Sequence, residues 1–257
     1  MSREISLDVK NGDPQFVKWY EVANKTIELL AVSVFEARQV SSTSRRDESV
    51  TRWTAYLGTL IEEAGNAAAH ALVLEMPRAA LILNRQVFEY RIRLAYLYAH
   101  PEKAEALLDS LPYTVLKEAR NAHGFFEPEM LQQYETNFRE WAEEHPELDS
   151  QTNEQGFRPM AEEILGETFS RDFFFHYSLP SIIAHGKPQG MVDVLEMVDG
   201  RPVWHPNSRM ADASSEFSKL AYSLLGAILS IRERYSLDMK PFNLICGVYN
   251  NTFGSRA

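Results

Sequence analysis

The chain has 257 residues, 45% of them hydrophobic and 24% charged, with a formal net charge of −10 at neutral pH. That composition is ordinary for a globular domain and excludes a disordered chain, while the acidic balance disfavours a passive nucleic-acid-coating role, which needs a broad basic face. The lone Cys246 excludes an internal disulfide framework and any multi-cysteine zinc site, and it suits a reducing compartment.

The segment from Met1 to Lys10 is too polar for a signal peptide. No apolar run approaches the roughly 18 residues that a membrane span requires. The expectation is a cytoplasmic protein with no membrane segment.

The first helix is expected to start at Asp13-Pro14, an N-cap followed by a first-turn proline, and to run to about Gln39. Phe16, Tyr20, Ile27, Leu30 and Val34 recur along it at helical spacing. The polar stretch from Ser41 to Ser49 reads as a solvated loop open to proteolysis. A second long helix follows over 51–76, with Ala55, Gly58, Gly65, Ala67, Ala68 and Ala69 allowing a neighbouring helix close. Pro77 punctuates it, and a third helix covers 78–99.

Pro101 and Pro112 each open a short helix, to about Ser110 and His123, and Pro128 begins an amphipathic one over 129–144. The stretch from His145 to Gly156 is rich in turn formers. Short helices then cover about 158–165 and 168–185, the second bent or broken at Pro180. A β-hairpin follows near 191–204, signalled by Asp199-Gly200 between two extended runs. A last long helix spans about 211–235, and the tail after Pro241 reads as irregular. The fold class is therefore all-α: a multi-helix bundle in one domain over 1–257, with one hairpin insertion.

Several chemistries lack their motifs. There is no Gly-rich phosphate loop, no HExxH helix, and no histidine with Glu three residues before it. Neither metal nor cofactor is expected. Cys246 sits in an apolar setting and reads as a small core residue rather than a nucleophile.

Two polar groups stand out. On the helix 78–99, Arg85, Glu89, Arg93 and Tyr96 share one stripe, while Asn84 and Arg91 fall on a second, well round the cylinder. So apolar a helix is normally central to a bundle, which would partly bury at least one of these stripes. The same spacing also makes an ordinary solvated ladder of i,i+4 ion pairs, each worth about 0.2–0.5 kcal/mol. The segment from Arg171 to Gly186 gathers Arg171, His176, Tyr177, Ser178, Ser181 and His185. If the helix continues past Pro180, Tyr177, Ser181 and His185 align. His185 would also serve as a C-terminal cap, and His176 as a satisfied core histidine.

The run from Arg78 to Tyr90, with Leu83-Asn84-Arg85 and Phe88-Glu89, resembles the first signature of a bacterial helical family, domain of unknown function 5677. Tyr177-Ser178, Ser181 and Ala184-His185-Gly186 resemble its second. The resemblance implies a helical protein without an assigned reaction, in which Arg85, Glu89, Ser181 and His185 meet in one polar cluster. Arg171-Asp-Phe-Phe-Phe-His176 is similar to the motif of the HEPN superfamily, which includes metal-independent ribonucleases. That similarity would make Arg171 and His176 catalytic.

Three functions are thus open. One is a ligand- or partner-binding protein using Arg85, Glu89, Tyr177, Ser181 and His185. The second is a ribonuclease using Arg171 and His176, with RNA as its partner. The third is a structural module that forms homo-oligomers through the hairpin edge. The hairpin follows closely on His185, which sets it to cover or flank the polar cluster.

Overall fold

Helix α1 (Pro14–Gln39) starts where Asp13 accepts a hydrogen bond from the Gln15 amide at 2.9 Å, with Pro14 at the first helical position. The structure is a computed structural model and describes residues 13–109, 128–144, 156–185, 195–198, 201–204 and 212–254. Helix α2 (Arg45–Val73) begins earlier than its sequence suggests. Ser44 accepts from the Asp47 amide at 3.1 Å and donates to the Asp47 carboxylate at 2.8 Å, so a local cap converts half of the expected loop into helix. The turn into α3 (Pro77–Ala99) places Glu75 at a positive φ of 59°. The amide of Met76 then donates to the carbonyl of Ala71 at 2.8 Å, which satisfies the end of α2.

Short α4 (Pro101–Asp109) follows, then α5 (Pro128–Glu144) and α6 (Phe157–Leu165). After one 3₁₀ turn come α7 (Phe169–Phe173), a π-helical turn over Phe174–Ser178 and α8 (Leu179–Ala184). The long α9 (Ala213–Arg234) and a final helix α10 (Lys240–Phe253) complete the helices among the described residues. The irregular tail expected after Pro241 is therefore corrected: Pro241 opens a helix, because a proline in the first turn forfeits only an amide that has no partner anyway. The helix expected over 112–123 and nearly all of the loop expected over 145–156 lie outside the described residues.

Helices α1, α2, α3 and α9 form the bundle, each packed on the next and α9 also on α2. Val22, Ile27, Leu30, Leu57, Ile61, Val87, Leu94, Phe217, Leu220, Leu224 and Ile228 fill its core. Small residues on α2 set the spacing. A methyl group on Gly58 would stand 2.5 Å from Val34, so α1 and α2 approach at a distance that only glycine permits there. A second core lies on the outer side of α3, where Phe88, Ile92 and Tyr96 meet Met160 and Ala161, with Phe157, Phe173 and Tyr177 packed against them. Helix α3 is thus covered on two sides, which accounts for its wide apolar surface.

The fold class is all-α, and the hairpin insertion expected near 191–204 needs correction in extent and in standing. Extended pairing is confined to Leu195–Val198 (β1) and Arg201–Trp204 (β2), antiparallel with Val198 opposite Arg201. Residues 191–194 and the Asp199-Gly200 turn lie outside the described residues. Neither strand packs broadly on a described helix, and a lone two-stranded ribbon is marginally stable by itself. The pair adds no layer to the architecture. Nor is its expected place over the polar cluster met by any broad contact among the described residues. No described helix is long and apolar enough to cross a membrane.

Candidate functional site

Pro180 shapes the centre of the site. It lacks an amide hydrogen, and its ring crowds the carbonyl one turn back, so an undistorted α-helix cannot run through this point. The chain widens instead. Leu179 donates to the carbonyl of Phe174, five residues earlier, and the helix continues through a π turn rather than breaking. That turn presses His176 inward. Its ring stacks on Phe88 at 5.0 Å between centroids and lies tilted against Tyr222 of α9 at 5.3 Å.

His176 is only 9% exposed, and its Nδ1 has no hydrogen-bond partner. Burial depresses its pKa from 6.5 to about 3; the carboxylate of Asp172 opposes that shift, while Arg91, Lys219 and Arg171 add to it. The imidazole is therefore neutral at physiological pH. Unfolded His176 takes up a proton below about pH 6.5 and the folded form does not, so stability falls as pH drops from about 6.5 towards about 3. Across that window the expected slope reaches about 1.4 kcal/mol per pH unit. Urea unfolding at stepped pH should show this slope flattened in His176→Phe. An unchanged slope would mean that the imidazole is hydrated.

Around His176 the groups connect. Asp172 is 3% exposed, accepting from the Tyr222 hydroxyl at 2.7 Å and from Nε of the exposed Arg171 at 2.9 Å. Burial pushes the Asp172 carboxyl up, but bonds from Tyr222, Arg171 and Thr168 outweigh it and hold the net value below the usual carboxylate range. Burial and the hydrogen bond to Asp172 raise the Tyr222 phenol, against the pull of Arg91. Further along α9, Glu216 is fully buried. It accepts from the Asn84 amide at 2.8 Å and from Lys219 at 2.6 Å. Burial raises its pKa while Lys219 and Asn84 oppose the shift.

Arg91 closes the seam between α3 and α9. Its guanidinium carbon lies 5.0 Å from the centre of the Tyr222 ring and 6.0 Å from that of Phe88. Its Nη1 is buried with no acceptor, and no carboxylate pairs with it among the described residues. The resulting arrangement holds Arg91, Lys219 and Arg171 on one side of the charge balance and Asp172 and Glu216 on the other. It can receive a negatively charged group.

The residues expected from sequence divide between this seam and the adjoining face of α3. Arg85 and Glu89 are mostly buried rather than solvated, 3.5 Å apart, and Arg93 meets Glu89 at 3.2 Å. Arg85 also lies over Tyr177, 4.7 Å from the ring centre, with a long 3.4 Å contact to its hydroxyl. Ser181 is half-buried with its Oγ unbonded, on the helix that packs against α3. His185 is exposed at the C-cap of α8 and stands outside the cluster. The structure gives it no contact with Arg85 or Glu89 among the described residues, although it keeps the i,i+4 relation to Ser181, donating its amide to the Ser181 carbonyl at 3.1 Å.

Arg171 and His176 differ in setting: the exposed Arg171 bonds Asp172, while the buried His176 packs on Phe88 and Tyr222. The sequence reading missed Asp172, Tyr222, Lys219 and Gly226. The only available signal was the second polar stripe of α3, formed by Asn84 and Arg91. Among the described residues no group of three or more His, Cys, Asp or Glu is placed to hold a metal. Burial pushes the Cys246 thiol up, which favours its protonated form. No family model, curated protein or solved structure matches the chain.

Proposed function

We propose that this protein binds a small acidic ligand at the seam between α3 and α9, with Arg91 as its anchor. The observation that carries the reading is the Arg91 guanidinium, wedged beside two aromatic rings with Nη1 buried and no carboxylate partner among the described residues. A buried donor left without an acceptor costs about 1–3 kcal/mol, and an acidic ligand would remove that cost. The π turn at His176 supports the same location, since such turns concentrate at functional sites. Arg85 and Glu89 on the adjoining face of α3, with Tyr177 of the π turn and Ser181 of α8, border the seam in this reading.

The test is calorimetric titration of the full chain with inorganic phosphate, sodium acetate and a nucleoside monophosphate. Arg91→Gln should weaken binding of whichever anion is taken by about 10- to 100-fold, the loss of one charge-assisted hydrogen-bonded pair at about 1.5–3 kcal/mol. A wild-type protein indifferent to all three sinks the reading.

A second reading, RNA cleavage of the HEPN kind, draws on Arg171, bonded to Asp172, and on the neutral His176, which feels the same carboxylate. Arg171 would meet the charge that develops on phosphorus, and the neutral His176 would hold the 2′-hydroxyl by a hydrogen bond. Labelled RNA cut in the presence of chelator by wild type, and left whole by His176→Ala, would favour it. RNA left whole by both would end it.

A further inference from the structure

We infer that the seam takes a ligand with a single carboxylate, met by Nη1 of Arg91, and that Gly226 is the residue that seats Arg91 for it. The inference rests on the anion-binding reading above. A methyl group on Gly226 would stand 2.1 Å from Nε of Arg91 and 2.3 Å from its guanidinium carbon. The guanidinium therefore occupies the space that any side chain at 226 would fill. Tyr222, one turn earlier on α9, lies under the same group at 5.0 Å. Gly226 lies against Nε, the guanidinium carbon and Nη2, and Tyr222 holds a face, which leaves Nη1 alone, buried and without an acceptor. Nη1 can donate a charge-assisted hydrogen bond to one oxygen of a carboxylate.

The charge balance selects the class. Arg91, Lys219 and Arg171 face Asp172 and Glu216, with His176 neutral among them, so one positive charge is left over among the described groups. One monoanion neutralises it. A phosphate dianion would place surplus negative charge beside Asp172, whose own bonds keep it ionised. His176 supplies the second independent indication. Nine-tenths buried and on the same seam, it carries an unpartnered Nδ1 that can donate to a carboxylate oxygen in its N–H tautomer.

The deciding comparison is between wild type, Gly226→Ala and Arg91→Gln as full chains, titrated with sodium acetate, sodium benzoate and inorganic phosphate. Alanine favours helix over glycine, and only the end of a flexible side chain must move. The melting temperature of Gly226→Ala should therefore hold or rise. Carboxylate binding should nevertheless weaken at least ten-fold, approaching the loss in Arg91→Gln. Equal carboxylate binding by wild type and Gly226→Ala overturns the role of Gly226. Phosphate bound in preference to both carboxylates overturns the ligand class while leaving the anion-binding reading intact. No anion bound by wild type overturns both.

Discussion

Phe88→Ala is expected to cost about 3–5 kcal/mol of stability, the usual range for emptying an aromatic site in a packed core. Phe88 is fully buried between α3 and the segment 157–177, and it stacks on His176 at 5.0 Å and on Phe157 edge-on at 6.5 Å. Its removal opens a cavity under the π turn and also admits water to the imidazole. The pKa of His176 should then climb from about 3 back towards 6.5, because the burial that depresses it is relieved. Urea unfolding reads the first effect, and an NMR titration of the histidine ring protons reads the second. A loss of stability with the pKa unmoved would show that Tyr222 alone keeps the imidazole dry.

Arg232→Met should be the other large loss, at about 3 kcal/mol, the lower end of the range for removing one partner of a buried pair. Arg232 is 1% exposed and ties three segments together. Nη1 donates to Ser33 at 2.8 Å and meets Glu36 at 3.0 Å, while Nε donates to the carbonyl of Asp238 at 2.7 Å. The lower end applies because Glu36 is 41% exposed and can rehydrate once its partner is gone. Glu36→Gln should cost less, because Arg232 keeps its bonds to Ser33 and to the Asp238 carbonyl and the glutamine amide oxygen can still accept from it. Denaturant midpoints for the two variants separate the possibilities. Equal losses would mean that the ion pair, not the bond to the α9–α10 turn, carries the stability.

Both variants act where charged or polar groups are buried, and the sequence announced those groups unevenly. Asn84 and Arg91 could be recognised as a stripe on an apolar helix, because side-chain direction along a helix follows from spacing alone. Their partners on α9 could not. Glu216, Lys219, Tyr222 and Gly226 read as an ordinary polar edge of an amphipathic helix until α3 is laid against them. Pro180 looked like a break because a proline usually ends a helix. A π turn absorbs it here, with the His176 ring enclosed between Phe88 and Tyr222. The tail departs from its expectation for a local reason: Lys240-Pro241 is a proper helix beginning, and a proline past one helix marks the end of that helix as readily as the start of the next.

By itself the sequence determined the helical class of this protein, most helix boundaries set by Asp13 and by Pro77, Pro101 and Pro128, and the central position of α3. These follow from caps, prolines and the period of apolar residues, all of which act over a few neighbouring positions. The bundle partners, the inward turn of His176, the exposure of His185 and the seat of Arg91 on Gly226 were decided only by the tertiary structure. Each of these depends on which helix face meets which across distances in the chain of 50 residues or more, as between Asp172 and Tyr222 or between Asn84 and Glu216. No local spacing encodes such a meeting, and that is why the candidate site emerged from α3 and α9 together.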